Sequence, residues 1–154
     1  MSRKSLEAFP LSAILLRVME REGVREAREW LRRARSSLLK AKACLEVEGV
    51  VVEDLCFDLH QAAERALKAY LLFLQRTPPP LHDLEVVLAQ IAREGIPVPE
   101  RVRGVSRLNR YYALVNHPKL QSRVTRADYY EALDLAEETI RWVEEEMVDR
   151  EKRG

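Results

Sequence analysis

The pattern of apolar and polar positions along the chain predicts helices throughout. Between residues 54 and 74 neither proline nor glycine interrupts a run rich in alanine and leucine. At about 100° per residue, apolar side chains cover more than half of this helix, which predicts the central helix of a bundle. The polar side chains share one stripe, expected to lie either in solvent or in an interface: Asp58, His60, Gln61, Glu64, Arg65 and Lys68.

Two helices are predicted before the central one. Residues 11–19 form a short apolar helix that ends before Gly23, and we expect it to cap the bundle or to form an oligomer contact. From residue 25 to about residue 47, apolar residues recur at steps of three and four, which predicts an amphipathic helix with a basic outer face. Gly49 ends that pattern.

Two further helices are predicted after the central one. Three consecutive prolines at positions 78–80 cannot continue a helix, so a rigid turn is expected there. The next helix is predicted to begin near Asp83, whose carboxylate suits a helix N-terminus, and to end at Gly95. Another long helix is expected from residue 100 to about residue 115, because Pro118 disfavours a helical conformation in the residue before it.

The last helix has a recognisable start. Thr125 and Asp128 form the capping signature [ST]xx[DE], and apolar side chains follow at helical spacing as far as Met147. Residues 149–154 are expected to form a frayed tail. Because no strand pattern occurs and most connections are short, the predicted fold class is all-α, an up-and-down bundle of four long helices plus one or two short helices.

Composition and charge fit one globular domain. The chain has 154 residues, of which 47% are hydrophobic and 33% are charged, and this balance is typical of a soluble protein with a real core. Its formal net charge is only +1, so any contact with nucleic acid must come from a local patch.

The cysteines and the N-terminus indicate a reduced compartment. Cys44 and Cys56 lack the spacing of a zinc site and are expected to be buried thiols. Glu7 and Pro10 interrupt the basic N-terminus, so no signal peptide is predicted. No apolar run reaches the roughly 18 residues needed to span a bilayer, so we expect no membrane contact and a cytoplasmic location.

Arg110 and His117 are the best candidates for catalysis. If both face one side of a helix two turns apart, Arg110 can hold a phosphate and His117 can move a proton. These two roles suffice for metal-free cleavage of RNA by its 2′-hydroxyl. The alternative is that Arg110 pairs with an acidic helix and His117 only ends its own helix. For His60 we expect a surface pair with Glu64, and for His82 a capping or packing role.

A cluster around Arg110 also suits a nucleotide or a single strand, since tyrosines stack on bases and arginines bind phosphates. The candidate nucleotide-binding residues are Arg107, Tyr111, Tyr112 and Asn116. Adjacent helical residues cannot both face inward, so one tyrosine is expected to be buried and the other near the surface. No phosphate loop, HExxH or spaced Cys/His set occurs, and neither a metal site nor a cofactor is predicted.

Residues 56–69, CFDLHQAAERALKA, closely resemble the signature helix of HEPN domains (higher eukaryotes and prokaryotes nucleotide-binding). The resemblance covers about residues 25–148 and leaves residues 1–24 as an N-terminal extension with a short helix. Other matching features follow in the expected order: Trp30 with Leu31, Leu81 to Leu84, Tyr111 with Tyr112, and Trp142 with Val143.

The resemblance implies a bundle that usually dimerises and is often encoded beside a minimal nucleotidyltransferase. Some HEPN proteins are metal-independent ribonuclease toxins, whose Arg-x4-6-His motifs from two subunits meet at the dimer interface. Arg110 and His117 have six residues between them and fit the outer limit of that motif. Tyr111 stands where catalytic members usually have a polar residue, and residues 116–119 replace the Arg-Tyr-Pro-Asp turn of many relatives.

The expected function is therefore binding. We predict a homodimeric partner of a minimal nucleotidyltransferase, in a toxin–antitoxin-like system, with a contact to nucleotide or RNA. Two alternatives stay open at this point: a metal-independent ribonuclease toxin that uses Arg110 and His117, and a non-catalytic helical scaffold.

Overall fold

The computed structural model describes residues 10–117 and 123–154, and no strand occurs among them, which confirms the all-α fold class. The elements in order are α1 (Leu11–Ala43), α2 (Val52–Phe73), α3 (Leu84–Arg93), α4 (Glu100–Arg103), a 3-10 turn (Gly104–Leu108), α5 (Asn109–Asn116) and α6 (Arg126–Arg153). None of the described helices is both long enough and apolar enough to cross a membrane.

The predicted central helix, α2, lies at the centre of the bundle and packs against α1, α5 and α6. Its alanines are fully buried, and small side chains allow neighbouring helices to approach closely. Around them pack larger buried side chains, including Leu59 and Leu67 of α2 and Tyr129 of α6. The Tyr129 hydroxyl donates a hydrogen bond to the Ala41 carbonyl at 3.0 Å, which ties α6 to α1.

The first two predicted helices form one continuous helix, so the expected break at Gly23 is wrong. α1 runs from Leu11 to Ala43, and Gly23 lies inside it. A Cβ atom at position 23 would lie 2.9 Å from the main-chain oxygen of Leu72, near the end of α2. Glycine is therefore needed here for the close approach of two helices, and it does not end either of them.

The long helix expected from residue 100 to residue 115 is also wrong, because a 3-10 turn separates α4 from α5. The buried side chains in this region recur every third residue, a spacing that matches the three residues per turn of a 3-10 helix. They are Val102, Val105, Leu108 and Tyr111. The long helices are therefore α1, α2 and α6, and α3, α4 and α5 are short.

The predicted helix ends at Asp83, Gly95 and Thr125 are confirmed. Asp83 accepts a hydrogen bond from the N–H of Glu85. Gly95 has a φ of 79°, which suits the residue after a helix, and Thr125 forms a capping box with Asp128.

The tail expected at residues 149–154 is helical as far as Arg153, where α6 ends, and its fraying stays a prediction. Two contacts hold this end of α6 against the bundle. Arg150 donates a hydrogen bond to the Tyr70 hydroxyl at 2.8 Å, and Glu151 pairs with Arg28 at 2.9 Å.

Both cysteines are free thiols, and Cys56 is buried as expected while Cys44 is half-buried. Burial raises the pKa of Cys56 to about 12. Glu7, Pro118 and Lys119, on which the predictions for the N-terminus and for the turn after α5 depended, lie outside the described residues. The division of the chain after residue 24 stays a prediction.

Candidate functional site

The six predicted site residues lie close together in the chain, but the structure separates them. Three lie on one side of α5, one lies on the other side, and two close its last turn. Arg107 belongs to the 3-10 turn, and His117 is the residue that ends α5. The other four lie on α5 itself: Arg110, Tyr111, Tyr112 and Asn116.

The first side forms a cleft of about 370 Å³ between the 3-10 turn, α5 and the start of α6, which we call the arginine cleft. Arg107 Nε lies 3.3 Å from Glu131 Oε1, and Arg110 Nη2 lies 3.4 Å from Asp128 Oδ2. Each arginine therefore has an acidic partner on α6, the arrangement that the sequence left open for Arg110. The cleft is lined by Ser106, Arg107, Leu108, Arg110, Tyr111, Asp128, Glu131, Ala132 and Leu135.

Tyr111 is the buried tyrosine of the adjacent pair, and Tyr112 is half-buried, so the predicted division between them is confirmed. Burial raises the pKa of Tyr111 to about 12, which keeps its hydroxyl neutral. The Arg110 guanidinium lies 4.7 Å from the centre of the Tyr111 ring, within range of a cation–π interaction. A hydrogen bond from the Thr125 N–H, with Arg110 also nearby, lowers the pKa of Asp128.

His117 does not continue the helical spacing that would align it with Arg110. Its φ of −132° and ψ of 75° lie outside the helical region, although its N–H still donates to the Ala113 carbonyl at 2.9 Å. The Asn116 side chain binds within its own helix, because its amide donates a hydrogen bond to the Tyr112 carbonyl at 2.8 Å. Both residues close the last turn of α5, and His117 is exposed at the surface.

The second side of α5 forms a cleft of about 460 Å³, which we call the histidine cleft. The His82 ring lies almost parallel to the Tyr112 ring, at a centroid distance of 4.7 Å and an interplanar angle of 21°. Tyr112 also packs against Phe57 at 5.9 Å and against His60 at 5.4 Å. The cleft is lined by Pro80, Leu81, His82, Asp83, Asn109, Tyr112 and Ala113.

A buried polar network lies beneath this cleft. His82 Nδ1–H donates to Glu64 Oε1 at 2.8 Å, and Lys68 Nζ lies 3.5 Å from the same oxygen. Lys68 also donates to the Leu81 carbonyl at 2.9 Å, and His60 Nε2 donates to the His82 carbonyl at 3.0 Å. These contacts fasten the proline turn, residues 77–83, onto α2.

This network corrects the prediction for the polar stripe of α2. His60, Glu64 and Lys68 are buried beneath the proline turn, so they lie neither in solvent nor on an exposed interface. The expected surface pair of His60 with Glu64 is wrong for the same reason, and burial lowers the pKa of His60. The carbonyls that accept from Lys68 and His60 are those of Leu81 and His82, and no signal in the sequence placed them over α2.

Asn109 holds the histidine cleft together from the side of α5. Its Oδ1 accepts the Leu84 N–H at 3.0 Å, and its Nδ2 donates to Asp83 Oδ1 at 2.9 Å. The cleft is therefore built on hydrogen-bonded helix ends. Nothing in the sequence pattern singled out Asn109.

A third feature is an exposed apolar stripe at the start of α1. α1 has 33 residues and α2 has 22, so their lengths are about 50 and about 33 Å. Because Gly23 lies against Leu72 near the end of α2, the first turns of α1 extend beyond α2. The stripe is 46% to 84% exposed and consists of Leu11, Ile14, Leu15, Leu16, Val18 and Met19.

Within residues 10–117 and 123–154, no group of three or more histidine, cysteine, aspartate or glutamate side chains is arranged to hold a metal ion. The family model described as HEPN domain matches residues 27–146, which include α2, both clefts and most of α6. The apolar stripe of α1 lies outside the matched range. Comparisons with curated proteins and with solved structures found no match.

Proposed function

The chain belongs to the HEPN domain family, and from this premise we propose that it acts by binding. It forms a homodimer and is the partner of a minimal nucleotidyltransferase in a toxin–antitoxin-like system, with a nucleotide contact on α5. The observation that carries this proposal is the exposed apolar stripe of α1, because soluble proteins rarely leave a contiguous apolar surface uncovered.

A second copy of this chain is the occupant that fits the stripe best. The charges in the sequence around the stripe nearly balance, because residues 1–26 carry five basic and four acidic side chains: Arg3, Lys4, Glu7, Arg17, Glu20, Arg21, Glu22, Arg25 and Glu26. A two-fold contact needs a self-complementary surface, and a balanced mixture lets opposite charges face each other across the axis. An anionic membrane or a nucleic acid would instead require a clear excess of basic residues.

The nucleotide contact is supported by the exposed arginines of the arginine cleft. Arg107 and Arg110 pair with Glu131 and Asp128, but ion pairs at the surface contribute only about 0–1 kcal/mol. A phosphate can therefore compete with these carboxylates for the two guanidinium groups and gain charge-assisted hydrogen bonds. The partnership with a nucleotidyltransferase rests on family membership.

Replacing Leu15 with glutamate tests the dimer. Leu15 is 60% exposed in the middle of the stripe, so the substitution places a charge at the proposed interface and leaves the core intact. Light scattering after size exclusion should show a dimer for the wild type and a monomer for Leu15→Glu, with unchanged circular dichroism.

Leu39→Glu is the matched control, because Leu39 is 63% exposed on the same helix but lies outside the stripe. This variant should remain a dimer. A monomeric wild-type protein, or equal dissociation of both variants, would refute the proposed interface. Co-expression with candidate minimal nucleotidyltransferases tests the partnership, and failure of all of them to co-purify would reject it.

Metal-independent cleavage of RNA is the second candidate function. Arg110 and His117 are both exposed near α5, which favours their use on a large substrate. Within one chain, however, His117 lies outside the helical spacing that would align it with Arg110. A dimer that binds neither nucleotidyltransferase nor nucleotide would leave the third alternative, a helical scaffold.

A further inference from the structure

We propose that the histidine cleft binds a nucleoside, whose base stacks on the exposed face of His82 and whose ribose hydroxyl donates a hydrogen bond to His82 Nε2. The inference rests on the nucleotide contact in the proposed function and deepens it by assigning the base to a different side of α5 from the arginines. From the sequence alone, we expected His82 only to cap a helix or to pack against its neighbours.

The contact with Glu64 beneath the cleft determines which ring nitrogen of His82 carries the proton. Glu64 is almost completely buried, and as a carboxylate it can only accept, so the hydrogen bond at 2.8 Å places a proton on His82 Nδ1. In the neutral ring, Nε2 then carries a lone pair and acts as an acceptor. No hydrogen bond to Nε2 occurs within the described part of the chain, and 47% of the His82 side chain is exposed.

The rings around His82 form a stacking surface. The Phe57 ring lies at 30° to the Tyr112 ring, and the Tyr112 ring lies at 21° to the His82 ring. These three rings form a series that leads from α2 to the cleft. His82 is the exposed end of the series. Base stacking on such rings depends little on the identity of the base, because every base has an aromatic face.

The charges of the cleft favour the base over the phosphate. Asp83 is the charged side chain among the lining residues, and no lysine or arginine of the described chain joins it there. Asp83 Oδ1 is already bonded to Asn109 and to the Glu85 N–H. The cleft therefore suits an uncharged flat ring with a hydroxyl donor beside it, such as the base and ribose of adenosine, and its volume lies in the range of small-molecule sites.

The site is rigid before a ligand arrives. Lys68 Nζ lies 3.5 Å from Glu64, and it donates a hydrogen bond to the Leu81 carbonyl. Lys68 therefore holds both the carboxylate that His82 binds and the residue that precedes His82 in the chain. The proline rings of residues 78–80 restrict the turn further. Little conformational freedom is lost on binding, which favours affinity.

NMR titration of histidine-labelled full-length protein with adenosine tests the proposal. The ring signals of His82 should show the Nδ1–H tautomer in the free protein and should shift on binding. His82→Gln should weaken adenosine binding about tenfold, in keeping with the loss of one stacking contact, and Tyr112→Leu should also weaken it because it removes the ring that supports His82. Tyr130→Leu is the matched control, because Tyr130 is an exposed tyrosine on α6, and its affinity should equal that of the wild type.

Two further ligands identify what the cleft recognises. Inorganic phosphate should leave the His82 signals unchanged, and a shift would overturn the assignment of the base to this cleft. Adenosine monophosphate and a short single-stranded oligoadenylate separate a free nucleotide from a base within RNA, and binding of either supports the site.

The proposal fails if millimolar adenosine shifts no His82 signal, or if His82→Gln binds adenosine as tightly as the wild type. Because His82 is at the surface, its substitution keeps the test usable even if Tyr112→Leu does not fold. Light scattering reports the dimer separately, so failure of the base site and failure of the proposed dimer are distinguishable.

Discussion

His60 shows how a residue with an ordinary surface pattern becomes part of the core. Its ring is fully buried between α2 and the proline turn, and Nε2 donates to the His82 carbonyl. Glu64, Gln61 and Asn109 face the same ring, yet burial is the largest influence and lowers the pKa of His60. The folded protein therefore holds this histidine in its neutral form at neutral pH.

We predict that His60 makes the protein sensitive to acid. The unfolded chain takes up a proton near the ordinary histidine pKa of about 6.5, whereas the folded chain does so only at lower pH. The contribution of His60 to stability is complete above about pH 6.5 and is lost as the pH falls below that value. Urea unfolding should show a steeper loss of stability towards about pH 5 for the wild type than for His60→Gln.

Measurements above about pH 7 provide the control, since His60 is neutral there in both states and the two unfolding curves should differ by a constant amount. Glutamine is chosen because it can still donate a hydrogen bond to the His82 carbonyl. Equal pH slopes for the two proteins across the acidic range would contradict the prediction.

Residues governed by local rules were the easiest to predict from sequence. Asp83 and Thr125 were identified as helix starts because capping depends on neighbours a few positions away. The division between Tyr111 and Tyr112 follows from helix geometry in the same way. The burial of Glu64 and Lys68 could not be predicted, because it depends on where the proline turn lies after folding.

At the scale of elements, Gly23 shows that a glycine in a helical pattern can mark a close contact between two helices and need not mark the end of a helix. An exposed glycine in a helix costs about 0.5–1 kcal/mol relative to alanine, so Gly→Ala would normally stabilise. At position 23 the added Cβ would lie 2.9 Å from the Leu72 oxygen, which belongs to main chain. We predict that Gly23→Ala destabilises the protein by about 1–3 kcal/mol, measured by urea unfolding at one fixed protein concentration.

Gly104→Ala is the comparison within the same chain. Its Cβ would also be crowded, at 2.8 Å, but by the end of the Arg107 side chain, which can move aside. The cost at position 104 should therefore be at most about 1 kcal/mol. A Gly23→Ala protein as stable as Gly104→Ala would show that α1 and α2 can separate more easily than their packing indicates.

The 3-10 turn shows the limit of periodicity as a guide to elements. Apolar residues at every third position from Val102 to Tyr111 are compatible with one face of an α-helix and with a 3-10 helix. Only packing against α6 and α3 decides between them, and the turn contacts both. This change in helix type also positions Arg107 and Arg110 on the arginine cleft.

At the scale of the whole molecule, the apolar stripe and α5 lie towards opposite ends of α2. Gly23 contacts the Leu72 end, whereas Tyr112 packs against Phe57 and His60, about 20 Å away along the helix. The stripe continues outwards from Gly23, so its centre is about 30 Å from α5. A dimer formed through the stripe therefore keeps the two copies of α5 apart.

This separation leads to a prediction about ribonuclease activity. A composite site needs Arg110 and His117 of both subunits together, and dimerisation through α1 does not bring them together. We expect RNA incubated with the purified dimer in EDTA to be cleaved no faster than with His117→Ala, as followed by gel electrophoresis. Three observations together would contradict this prediction. The wild-type protein cleaves RNA, both Arg110→Ala and His117→Ala lose the cleavage, and Leu15→Glu keeps it. That combination would mean that the α5 surfaces meet through an interface other than the stripe, and ribonuclease activity would then replace binding as the proposed function.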